Sequence, residues 1–162
     1  SRAYEYSFGG KAARVYSFDV WKCRFVLLDN TEYGDQIPWK EQLKMADEWL
    51  GEKADLKKFV FVHSPPHEVE KWAYHSMPAR MSEPFVDLMS KHSVDKVFLG
   101  HIHAFSTATY EDVEYMIVGG GGAGLHSHYG EMGSVHSYVI VDVLPGSVKM
   151  RLVRLLPDPD KD

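Results

Sequence analysis

The chain has 162 residues, 44% of them hydrophobic and 13% aromatic, which suits one domain with a packed core. Its 18 Lys and Arg against 23 Asp and Glu give a formal charge of −5 with no basic block, which argues against a nucleic-acid-binding patch. The single cysteine, Cys23, rules out an intrachain disulfide and a cysteine-based zinc cluster, and no segment has the length of a membrane span.

The N-terminal "SRAYEYSFGG" lacks the charged-then-apolar pattern of a signal peptide, so the chain is expected to be cytosolic or to lack its targeting segment, and the compartment stays open. Next, "ARVYSFDV" and "CRFVLLDN" flank Trp21 and Lys22, which predicts a hairpin. The run from Arg24 to Asp29 is almost continuously apolar, as in a strand covered on both faces. Cys23 is expected to be an inert, packed thiol.

"PWKEQLKMADEWL" predicts a helix with Pro38 in its first turn and Trp39, Leu43, Ala46 and Leu50 on one stripe, widened by Trp49. "KKFVFVHSPPH" predicts a strand from about Lys58 to Val62 that stops at His63, because Pro65 and Pro66 cannot donate to a ladder. An aromatic loop, "EVEKWAYHSMPAR", precedes a second helix over "SEPFVDLMSKHS", with Ser82 as N-cap and Pro84 just inside it.

The strand "DKVFLG" then runs into His101 and His103. After it the period changes to two: "FSTATY", "EYMIVGG", "HSYVIVDV" and "SVKMRLVRL" read as antiparallel strands with turns at Glu111-Asp112 and Pro145-Gly146. Residues 1–156 are expected to form the domain and 157–162 a disordered tail.

Two strand-helix-strand units thus deliver a histidine at a strand's carboxyl end, His63 and His101, which is the ligand-binding edge of open α/β sheets. If the backbone stays extended, His101 and His103 share a face, and Gly100 lets the chain turn without a side chain in the way. A lone loop histidine is usually only hydrogen-bonded, but three at converging strand ends make a chemically sensible metal site, since neutral imidazole binds zinc, iron and manganese.

"VFVHSPPH" followed by "VFLGHIHAF", each after an amphipathic helix, with a β-rich tail ending in "YMIVGGGGAG", resembles the calcineurin-like metallophosphoesterases, which include purple acid phosphatases. The resemblance spans nearly all of the chain but only the second half of that family's domain. It implies half of a four-layer αββα sandwich and hydrolysis of phosphate esters at a two-metal site by the parent protein. His63 and His101 would share one divalent or trivalent metal and His103 would bind its neighbour, with zinc, manganese and iron not distinguished. The family's Asp-x-His, Gly-Asp-x-x-Asp and Gly-Asn-His-Asp blocks do not occur, and "GDQIP" at Gly34 is a superficial echo. Without them the isolated chain is expected to be inactive or very slow. The alternative is a non-catalytic metal-binding or interaction module on the same scaffold.

Other features read more plainly. "GGGGAGLHSHYG" lacks the ending of a phosphate loop and no helix pattern follows it. His67, His126 and His128 are candidates for the pocket rim, whereas His75, His92 and His136 read as structural or solvent-facing. Asp29 and Asn30 close an early strand at the same edge, facing the pocket or forming a turn. Expected partners are a phosphate-ester substrate and either a second copy or a complementing N-terminal half that covers the open sheet; no membrane association is expected.

Overall fold

The computed structural model describes residues 14–31, 37–53, 55–67, 75–126 and 134–155. The segments carrying Gly34 and His128, and the tail 157–162, lie outside the described residues. Strands β1 (Tyr16–Val20) and β2 (Cys23–Leu27) form the expected hairpin, with Val20 paired to Cys23 across Trp21 and Lys22. Cys23 is buried, and burial pushes its thiol pKa up, so it stays protonated and inert. Arg24 is also buried; it is bound to the Asp19 carboxylate at 2.7 Å, to Glu52 at 3.0 Å and to the Trp49 carbonyl, which ties the hairpin to the following helix.

Helix α1 (Trp39–Glu52) starts one residue after Pro38, which caps it rather than entering its first turn. Its buried positions are Gln42, Ala46 and Leu50. Gln42, missed by the apolar stripe, is a polar clamp: its amide donates to the carbonyls of Asp29 and Ile37 and accepts the Asp29 N–H. Those bonds satisfy a buried amide and hold the exit of β2 against the helix.

Strand β3 (Lys57–Val62) ends at His63 as the prolines dictate. Helix α2 (Ala79–Lys91) corrects the expected start at Ser82: it begins at Ala79, Pro78 is its cap, and Pro84 lies inside it. The earlier turn survives because Pro78 already has φ −57°, and because Phe85, Val86 and Met89 bury the helix over the sheet. Complete burial makes Phe85 and Leu50 the costliest truncations of this layer, about 2–5 kcal/mol each.

β4 (Lys96–Leu99), β5 (Phe105–Tyr110) and β6 (Val113–Val118) complete a six-stranded sheet of order β1-β2-β3-β4-β6-β5. The strands after the histidines were expected to be antiparallel, and β5 pairs so with β6; β6 in addition pairs parallel with β4 and so extends the parallel core of β2, β3 and β4, while β5 takes the edge. The reason is the turn at Glu111 and Asp112, whose φ values of 48° and 61° fold β6 straight back along β5. β7 (Ser137–Leu144) and β8 (Ser147–Arg154) form a separate two-stranded sheet turned at Gly146, φ 81°.

The sheet's two faces differ. Val26, Val60, Val97, Leu99 and Ile117 pack with Ala46, Leu50, Phe85 and Met89 into the main core. The other face carries an aromatic row in which Phe18–Phe25 centroids stand 4.9 Å apart, Phe25–Phe59 5.5 Å and Phe61–Phe98 5.0 Å. Between that row and Val139, Val141 and Val143 of β7 runs a groove of about 1210 Å³. Among the described residues the architecture is α/β: parallel strands, two helices on one face, and a partial second sheet facing the other.

Candidate metal centre

The carboxyl ends of β3 and β4 lie side by side, because the two strands pair Val62 with Leu99. The Gly100 N–H donates to the His63 carbonyl at 2.9 Å, which continues that register into the turns. His63 and His101 therefore meet: His63 Nε2 stands 3.2 Å from His101 Nδ1. His101 reaches in the other direction as well, with Nε2 3.1 Å from His75 Nδ1. His75 was expected to be structural or solvent-facing and instead completes a row of three imidazoles.

The backbone after Gly100 is not extended, which corrects the premise for placing His101 and His103 on one face. The Ile102 N–H bonds to the Gly100 carbonyl at 2.7 Å and the Ala104 N–H to the Ile102 carbonyl at 2.8 Å, so His101 and His103 sit at the centres of successive γ-turns. His101 itself takes the positive φ, 64°, that had been expected to need Gly100. A Cβ on Gly100 would make only ordinary contact, 3.6 Å, with the His63 ring. Ile102 and Ala104 are almost wholly buried and anchor both turns, which leaves the two histidines outside the core. A non-glycine residue at this φ stores strain of the kind found at functional sites.

His103 takes a different neighbourhood. Its Nδ1 lies 2.8 Å from the Gly124 carbonyl, and its ring stacks on His126 with centroids 5.0 Å apart. Because a carbonyl only accepts, Nδ1 carries the proton and Nε2 is the free lone pair, the arrangement that prepares a histidine for a metal. The glycine run makes this close approach: the His126 N–H bonds to the His103 carbonyl, and a Cβ on Gly119 would meet the Ile102 carbonyl oxygen at 1.8 Å. His126 thus lies beside His103. His67 does not join the imidazole row: its ring packs on Tyr110 and Tyr115, with centroids 3.7 and 6.2 Å away.

Burial lowers the pKa values of both His63 and His101, and for His101 the neighbouring His63, His75, His103 and His126 lower it further. Asp29 opposes the shift at His63. Neutral rings at pH 7 are what metal ligation requires. Asp29 and Asn30 close β2 beside this edge: Asn30 exchanges two hydrogen bonds with Ser64, at 3.1 and 3.0 Å, and Asp29 accepts the Thr31 N–H and hydroxyl.

Two imidazole nitrogens on one tetrahedral zinc stand roughly 3.3 Å apart, so the His63–His101 pair has the spacing of two ligands of one ion. Among the described residues no group of three or more His, Cys, Asp or Glu side chains is gathered closely enough to hold a metal ion. The residues fit part of a centre, one pair and one neighbouring imidazole, and the remaining ligands would have to come from elsewhere.

No protein-family model and no curated protein matches this sequence. Solved structures that share its fold include two from different organisms. One is GAP50, described as the anchor in the inner membrane complex of Plasmodium, with TM-score 0.63 at 14% identity over 86% of this chain and 48% of that one. The other is the purple acid phosphatase PPD1 from yellow lupin (Lupinus luteus) seeds, with TM-score 0.59 at 19% identity over 78% of this chain and 27% of that one. The chain therefore spans about half the length of the first and about a quarter of the second. At these identities the likeness is one of fold.

Proposed function

We propose that this chain is the histidine-bearing part of a metal-dependent phosphoesterase, in which His63 and His101 hold one metal ion and His103 a second beside it. The observation that carries the reading is the 3.2 Å meeting of His63 and His101 at adjacent parallel strand ends, in a fold shared with a purple acid phosphatase. When bound, the ions would supply a nucleophilic hydroxide and charge neutralisation at the phosphoryl oxygens.

The chain's own residues have three roles. His101 binds through Nδ1, which puts its proton on Nε2, where it donates to His75 Nδ1. His75 is thereby held as the tautomer protonated at Nε2, a donor able to hydrogen-bond a leaving oxygen. The Gly124 carbonyl orients His103 through its Nδ1 proton.

The remaining carboxylates would come from a complementing N-terminal half, on the same polypeptide or a separate one, and the apolar groove between the Phe25–Phe59–Phe98 face and β7 supports its packing there. A two-stranded sheet such as β7–β8 is marginal alone and gains from further strands. A second reading, a non-catalytic scaffold, is favoured by the likeness to GAP50. Metal-dependent hydrolysis of an aryl phosphate by the chain plus its complement, lost in His103→Ala, supports the enzyme; no turnover in that assembly supports the scaffold.

A further inference from the structure

A cleft of about 700 Å³ opens beside the imidazole row, between the turn after β2 and the starts of both helices. Its lining brings His63, His75 and His101 together with Trp39, Arg80 and Met81. This volume is typical of a small-molecule site. Apart from the histidines, its charged lining among the described residues is Asp29 and Arg80. Asp29 is committed: it accepts two bonds from Thr31 and faces Arg14 at 3.5 Å. Arg80 is exposed and has no acidic partner among the described residues.

Arg80 sits in the first turn of α2, a helix with no side-chain cap, and α1 also opens on this cleft without one. The open backbone N–H groups add to the positive potential around the guanidinium. A neutral alcohol leaving group would make no use of a guanidinium in the same cleft as the imidazoles, whereas a second phosphate or carboxylate would pair with it in two parallel hydrogen bonds.

We propose that this cleft selects phosphate esters carrying a second anionic group on the leaving side, and that Arg80 reads that group. The inference rests on the function proposed above and specifies its substrate class. Calorimetry with the zinc-loaded chain would compare propyl phosphate, propane-1,3-diyl bisphosphate and 3-phosphooxypropanoate. The two doubly anionic ligands should bind about tenfold tighter than propyl phosphate, the effect of one charge-assisted hydrogen-bonded pair. Arg80→Gln should erase that preference, weakening the two ligands with a second anionic group about tenfold more than it weakens propyl phosphate, and the order of those two ligands tells phosphate from carboxylate. Equal binding of all three by the wild type, or a preference that survives Arg80→Gln, overturns the role of Arg80 alone. Failure of every ligand to bind, or binding indifferent to His101→Ala, overturns the site and this inference with it.

Discussion

Gly119 lies so close to Ile102 that a Cβ built on it would stand 1.8 Å from the Ile102 carbonyl oxygen and 3.0 Å from the Cα of His103. The glycine run after β6 is thus a packing solution for the two histidine γ-turns. Gly119→Ala should cost about 3 kcal/mol or more, since backbone and not a mobile side chain would have to move. Gly121→Ala, with nothing within 4 Å of its added methyl, should change stability by less than about 0.5 kcal/mol. Urea unfolding of both variants checks the contrast.

His67 supplies a test in pH. Burial lowers its pKa, and its Nε2 is buried with no hydrogen-bond partner among the described residues; burial lowers His63 and His101 as well. The unfolded value is about 6.5, so below it the unfolded chain binds more protons than the folded one. Stability is therefore fully present above about pH 6.5 and is lost as the pH falls through the lower folded values. In metal-free buffer the urea midpoint should drop between pH 7.5 and 5, and His67→Phe should reduce that drop. An equally steep loss in His67→Phe would contradict the assignment.

The strand ends and the histidines they carry were legible because alternation, helical stripes and proline stops are local. What escaped was set at a distance. Pro84 suggested a helix start because proline favours first turns, yet the burial of Phe85 and Met89 carries α2 back to Pro78. Gln42 breaks an apolar stripe and is buried because β2's exit offers it partners in Asp29 and Ile37. His75 follows a loop with no periodicity, so only the tertiary path could bring it to His101. The γ-turns at His101 and His103 also had no local signal, since glycine, not histidine, is the residue expected at positive φ.

The aromatic face predicts association. Trp21 is 97% exposed, and Phe18, Val20, Tyr138 and Val143 are exposed around the same side of the sheet or on the facing hairpin. Uncovered apolar surface on this scale favours self-pairing. Sedimentation should show dimers or larger species growing with concentration, and Val143→Lys should shift the distribution toward monomer. A monomer at all concentrations would mean that the face is self-sufficient.

His75 should act as a positioning residue rather than a ligand. If its Nδ1 orients His101, His75→Ala should weaken metal affinity by roughly 10–100-fold, the range for losing a hydrogen bond to a ligating histidine. His92, bound to Asp47 at 2.5 Å between the helices, lies outside the imidazole row, so His92→Ala should leave that affinity unchanged. Equal effects of the two substitutions would remove the positioning role of His75.

The central claim is that imidazoles from β3 and β4 hold a metal ion, and zinc titration by calorimetry at pH 7 tests it most directly. The wild type should bind zinc, His101→Ala should weaken binding at least about tenfold, and the triple alanine variant of His63, His101 and His103 should abolish it. An isotherm that is the same in the wild type and the triple variant would contradict the account.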